Sequence, residues 1–198
     1  MKVFVVIGHQ RKGSFCHAIV RTAVEQLAAS GHEVIYHDLY EEDFDPILRE
    51  EEISGEVTDP AVRRQIDEVL SADGYVVVHP NWWSNPPAML RGWQDRVLRQ
   101  GAVYKFTERG VQGLLRGRKA VVFTTSNTPR DVEMAVFGDP LENLWKTCVF
   151  GFCGVEDFYR RNFESVIMST PEQRESWLDE VRETIEERFP ALAAFNES

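Results

Sequence analysis

Three short stretches of the 198-residue chain carry residue types suited to holding a ligand. The first is GHQRKGSF, residues 8–15, where Ser14 stands at the start of a helical pattern. A serine there offers its hydroxyl beside free backbone N–H groups, and the positive end of the helix dipole favours phosphate. Arg11 and Lys12 add charge. The stretch is neither GxGxxG nor GxxxxGK followed by Ser or Thr, so it supports neither a dinucleotide fingerprint nor a nucleotide-hydrolase loop. Taken alone it is equally well a helix cap in a basic turn.

The second stretch is HPNWWSNPP, residues 79–87. Trp82 and Trp83 cannot both point into the core of a turn that prolines force outward. One reading has an indole presenting flat area to a planar ligand. The other packs the pair under a neighbouring helix or at a subunit contact. The third stretch is Thr124, Thr125, Ser126 and Asn127, rich in short donors. Anion grip, aromatic platform and polar end together describe the outline of a flavin mononucleotide.

Buried elements must bring these stretches together. Val3–Ile7, Glu33–Tyr36, Gly74–Val78, Lys119–Thr125 and, less clearly marked, Val155–Arg160 read as strands. A helix capped by Ser14 runs through Ala29, with Gly31 as its stop. Asp59–Pro60 opens a second, and Ala88–Arg99, Leu141–Phe150 and Pro171–Arg188 supply three more. A long polar connection with acidic clusters separates Tyr36 from Asp59. This alternation predicts an α/β chain: a doubly wound five-stranded parallel sheet in the order 2-1-3-4-5, as one domain over residues 1–198. Its switch-point crevice lies between the carboxyl ends of strands 1 and 3, where the first two stretches face each other.

Composition narrows the partners. A net charge of −10 disfavours nucleic acid or an anionic membrane as the main partner. The apolar run Val3–Ile7 is too short for a membrane span or a signal segment. Three cysteines without a CxxC argue against a disulfide framework, and a reducing cytoplasm is the expected compartment. No histidine pair has metal-ligand spacing with a third ligand, so no metal is expected. The acidic run Glu41–Asp45 lacks the glycine and spacing of a calcium loop and reads as a solvated face. His9 and His79 end crevice strands and are candidates to bond the ligand; His17, His32 and His37 read as surface or helix-flank residues.

The chain resembles the flavodoxin-like NAD(P)H:quinone oxidoreductase family, which includes the mammalian quinone reductases and the ancillary flavoproteins of bacterial potassium-efflux systems. The resemblance is carried by HQRKGSF (9–15), DLY (38–40) with FDP (44–46), HPNWW and PPAMLRGWQDRV within 79–97, GAVYKF (101–106), TTSN (124–127) and FCGV (152–155). It implies a flavin, FMN or FAD, with His9, Ser14, Phe15 and Cys16 at its phosphate end. Pro80, Asn81, Trp82 and Trp83 would line the isoalloxazine, Trp83 matching the family's tryptophan, and Thr124 to Asn127 its pyrimidine edge. Tyr104 and Phe106 would cover the substrate pocket. The resemblance further implies a homodimer whose pockets are completed across the interface. It implies ping-pong chemistry, in which NAD(P)H reduces the flavin and a quinone-like acceptor then takes two electrons.

The chain departs from that pattern. The family's Tyr and His relay fall near Asp131 and at Phe137 here, so that proton route is not carried over and the catalytic residues stay unassigned. Arg130 is a candidate for pairing a cofactor phosphate or an acidic substrate, or a solvated surface residue. Two alternatives from other classes remain: a regulatory flavoprotein subunit of a membrane transporter, and an electron-carrier flavodoxin.

Overall fold

The computed structural model describes residues 1–54 and 56–191; the last seven residues of the expected 1–198 domain lie outside the described residues. Five strands form one sheet: β1 (Lys2–Ile7), β2 (Glu33–Asp38), β3 (Gly74–Pro80), β6 (Lys119–Thr125) and β7 (Asp157–Phe163), in the order β2-β1-β3-β6-β7. Every neighbouring pair is parallel, with Val3 opposite both Val34 and Gly74. Counted by strands of this sheet alone, that is the expected 2-1-3-4-5 order. β4 (Tyr104–Thr107) and β5 (Gly110–Gly113) pair antiparallel as a separate hairpin. The hairpin escapes sequence reading because its residues are mostly exposed and each strand spans only four positions.

Alternate residues of β1 enter different apolar clusters, as the period-2 pleat requires. Val3, Val5 and Ile7 pack with α1 (Phe15–Ala29) and α7 (Pro171–Arg188). Phe4 and Val6 pack with α3 (Pro60–Ser71) and α4 (Ala88–Val97). Local chemistry sets the helix starts. Ser14 Oγ accepts the backbone N–H of His17, Asp59 caps α3 ahead of Pro60, and Thr170 caps α7 ahead of Pro171.

Three expectations shift. The connection before Asp59 contains α2 (Glu50–Ser54), fixed by a buried ion pair: Arg96 Nη2 and Nε donate to Glu52 at 2.8 and 3.1 Å. The helix expected over Leu141–Phe150 is one α turn, α6 (Pro140–Asn143), continuing as a wide π turn over Leu144–Gly151. A similar pair precedes it, α5 (Arg130–Val132) and a π turn over Glu133–Phe137, separated from α6 by the left-handed Gly138 and Asp139. The last strand begins at Asp157 rather than Val155, because Val155 N–H still closes on the Phe150 carbonyl and Gly154 turns the chain at φ +95°.

Candidate functional site

The three loops meet at the carboxyl ends of β1, β3 and β6 around a cleft of about 900 Å³. On the β1 side, Gly8 N–H continues the ladder to the Val78 carbonyl, and a side chain at Gly8 would put its Cβ 2.8 Å from Leu90. Gly13, at φ +76°, then turns the chain into Ser14 and α1. His9, Ser14, Phe15 and Cys16 all line the cleft here, with Arg11 above them. Burial pushes the Cys16 thiol up to about 12, and its Sγ sits 3.3 Å from Thr125 Oγ1. It stays a neutral packing group at physiological pH. His9 is held below the usual imidazole range, first by burial and then by the charge of His17.

On the β3 side the backbone makes a tight hairpin. Asn81 N–H donates to the Thr125 carbonyl at 2.6 Å, and Trp82 and Asn85 exchange both backbone hydrogen bonds at 3.0 Å. Between them Trp83 and Ser84 take left-handed φ of 55° and 58°. This geometry separates the two indoles. Trp82 lines the cleft with its ring centroid 6.3 Å from that of His9. Trp83 is 97% exposed and stands outside the cleft. Within one chain the tryptophan matching the family pattern is therefore not the one at the crevice, because a left-handed turn throws its side chain outward.

On the β6 side Thr125, Ser126 and Asn127 line the cleft and Thr124 does not. Pleat alternation turns Thr124 inward, fully buried, with Oγ1 donating to Asn162 Oδ1 at 2.9 Å. Asn162 Nδ2 in turn donates to Ser126 Oγ at 3.1 Å, and Asn127 Oδ1 accepts Ile167 N–H at 3.0 Å. Side chains thereby stiffen the loop.

Several sequence readings are corrected. His79 is fully buried, its Nδ1 donating to the Pro80 carbonyl and its Nε2 accepting from Trp145, so it cannot reach a ligand. Burial pushes it down to about 4, and it is neutral. His17 is half-buried behind the cleft, bonded to Ser14 and Asp38, and lines a neighbouring hollow of about 430 Å³ rather than the cleft itself. His32 and His37 are buried, His37 between Glu42 and Glu68 at 2.8 Å from each. Arg130 is exposed and pairs with Glu164 at 3.5 Å, in keeping with the solvated-surface alternative. Within one chain Tyr104 and Phe106 stand on the hairpin with rings edge to face, away from the cleft, which is compatible with the expectation of pockets completed across a dimer interface. Tyr104 instead packs on Phe152 beside a second hollow of about 400 Å³.

One wall component, and one residue behind the wall, were missed. Arg174, Leu178 and Arg182 of α7 recur every four residues and form the outer rim beside Val166 and Ile167. That spacing was visible, but in a helix lined with acid–base pairs it passes for a solvated face. Glu133 was not visible. It is buried in the π turn with Asn81 Nδ2 3.5 Å from its carboxylate, and burial raises its carboxyl pKa.

A sequence profile described as flavodoxin-like fold matches residues 1–189. The chain belongs to the flavodoxin-like fold family. Among curated members it is 28% identical to an uncharacterized NAD(P)H oxidoreductase of Haemophilus influenzae, covering 97% of this chain and 98% of that one. It is 32% identical to an FMN-dependent NADH:quinone oxidoreductase of Rhizobium meliloti, over 63% of this chain and 60% of the relative. The solved structure of an NAD(P)H:quinone oxidoreductase from Methanothermobacter marburgensis superposes with a TM-score of 0.81. It is 25% identical, covering 93% of this chain and 95% of that one. In this flavodoxin-like chain the crevice residues fall where the sheet topology puts a ligand, at the switch between β1 and β3. No described residues group three or more His, Cys, Asp or Glu as a metal site, and no described helix is long and apolar enough to cross a membrane.

Proposed function

We propose that the cleft binds a flavin and that the protein is a flavin-dependent NAD(P)H oxidoreductase reducing quinones or related electrophiles. The observation that carries this is the donor set at one sheet edge. A helix N-terminus with Ser14 and Arg11, the face of Trp82, and the polar loop 125–127 surround one cleft of about 900 Å³. The donors fit the three parts of a flavin nucleotide: phosphate, ring and pyrimidine edge. The bound flavin supplies hydride acceptance and two-electron delivery. The chain itself binds and orients it, and sets the polar loop 125–127 against the edge that gains negative charge. The names of the Rhizobium and Methanothermobacter relatives support the cofactor and the acceptor class.

On this reading the doubly wound domain is cytoplasmic and homodimeric, and works by ping-pong exchange of NAD(P)H and acceptor in one pocket. Trp83, Phe106, Val136 and Phe137 are 97%, 61%, 68% and 50% exposed, apolar side chains that a second copy would cover. Tyr104 and Phe106 would serve the crevice of a second copy. The test is direct. Purified protein loaded with flavin is yellow, bleaches with NADH or NADPH, and regains colour with menadione. Protein that stays oxidised with both nucleotides excludes the reading.

A further inference from the structure

Ser14, His17 and Asp38 form a continuous hydrogen-bonded chain at the phosphate end of the cleft. Ser14 Oγ lies 2.8 Å from His17 Nδ1, and His17 Nε2 lies 3.0 Å from Asp38 Oδ2. Ser14 Oγ also accepts the backbone N–H of His17 at 3.3 Å. The other oxygen of Asp38 accepts N–H groups of Tyr40 and Glu41 at 3.1 and 3.2 Å, which leaves Oδ2 for the imidazole. Ser14 and Asp38 are buried. The other charged or titratable groups near the ring are few. His9, with ring centroids 6.0 Å apart, and Arg11 come from the β1 loop, Tyr36 from β2 and Arg21 from the next turn of α1. Lys12 is tied to Glu41 at 2.9 Å.

Proton positions decide what Ser14 can offer a ligand. In neutral His17 the Nε2–H donates to Asp38, so Nδ1 carries a lone pair and takes the Ser14 hydroxyl hydrogen. Ser14 then meets the cleft as an acceptor, and a phosphate oxygen finds no hydrogen there. A second proton on His17 places N–H at Nδ1, which donates to Ser14 Oγ. With the backbone N–H of His17 also donating to Oγ, the hydroxyl hydrogen is free to point at the ligand, and the imidazolium adds attraction. His9 is disfavoured from taking that proton by its burial and by the charge on His17.

We infer that His17, held by Asp38, is a positioning residue that turns Ser14 from acceptor to donor, so that a phosphate-bearing ligand enters this cleft together with one proton. The inference rests on the flavin reading above and adds to it a proton-coupled phosphate grip.

The test compares FMN with riboflavin, which has the same ring and no phosphate, on flavin-free full-length protein. Titration calorimetry is run from pH 6 to 8.5 in two buffers of different ionisation enthalpy, which counts protons directly. FMN binding should take up about one proton, and its affinity should fall as pH rises, by up to about tenfold per pH unit. Riboflavin should show neither effect. In His17→Asn an amide donates to Ser14 at every pH, so FMN still binds better than riboflavin but the excess proton uptake disappears. The phosphate of FMN itself titrates near about pH 6, and subtracting the variant removes that contribution. Equal proton uptake for both flavins, or uptake unchanged in His17→Asn, overturns the inference; if that variant does not fold, His17→Gln takes its place in the subtraction. Flavins that bind without the proton leave the flavin reading standing and this inference refuted. Failure of both flavins to bind refutes the two together.

Discussion

Trp145 donates its indole N–H to Nε2 of His79 across 2.8 Å, while Nδ1 of the same ring donates to the Pro80 carbonyl at 2.8 Å. Both nitrogens are used, the ring is fully buried, and the imidazole is neutral, pushed down to about 4. An unfolded chain takes up this proton near the ordinary 6.5, so the folded state loses relative stability as pH falls from 6.5 toward 4. Unfolding free energy from urea denaturation should be about 2 kcal/mol lower at pH 5 than at pH 7 from this group. Trp145→Phe should cost about 1–3 kcal/mol at pH 7 by leaving Nε2 buried without a donor.

The two neighbouring tryptophans should separate in a binding assay. Trp82 faces the cleft and Trp83 stands in solvent. Trp82→Ala should weaken flavin affinity about fivefold to tenfold, the loss of one aromatic face. Trp83→Ala should weaken it less. Fluorescence titration with FMN measures both, and a larger effect at Trp83 would mean that a second copy carries it to the ligand.

The turn that separates them is strained. Trp83 and Ser84 both hold left-handed φ, which Asn and Gly adopt at little cost. The double change Trp83→Asn with Ser84→Gly should stabilise the isolated chain by about 1–2 kcal/mol, seen as a higher urea midpoint with an unchanged slope. Natural retention of the costlier pair then points to a use for the indole.

Glu52 is the only acidic residue of α2 that is buried, and its partner Arg96 is buried with it. Glu52→Gln should destabilise by about 1–3 kcal/mol, because it takes the charge out of a buried hydrogen-bonded pair and leaves Asp59, 3.2 Å from Arg96 Nη1, as the guanidinium's nearest carboxylate. The pair holds the Glu52 carboxyl below its usual range, so its stabilisation is present above the ordinary carboxylate pKa and lost as pH falls below it. Thermal melts of wild type and variant should therefore converge below about pH 4.

Much of the frame was legible because its signals are local. The capping residues Ser14, Asp59 and Thr170 each act within three positions of themselves, and α7 has the range its Pro171 start implied. What escaped depends on partners far along the chain. Glu52 reaches Arg96 across 44 positions, Thr124 reaches Asn162 across 38, and His79 reaches Trp145 across 66. A buried histidine and a ligand-facing one have the same letter. Only the placement of Trp145 against His79 distinguishes them. The cleft's first loop was readable from Ser14 onward, but its depth was not, since His17 joins it through Asp38 on a different strand.

The hairpin at 82–85 has one further consequence. Trp93 and Trp145 are sealed in the interior and Trp177 is half-buried against Phe15 and Phe163, whereas Trp83 stands wholly in water and Trp82 is 39% exposed at the rim. Red-edge emission from the protein is thus dominated by two adjacent indoles at the mouth of the cleft, and acrylamide should quench them first. The molecule carries its own optical sensor where ligand and partner would arrive, and its light can be followed without a label.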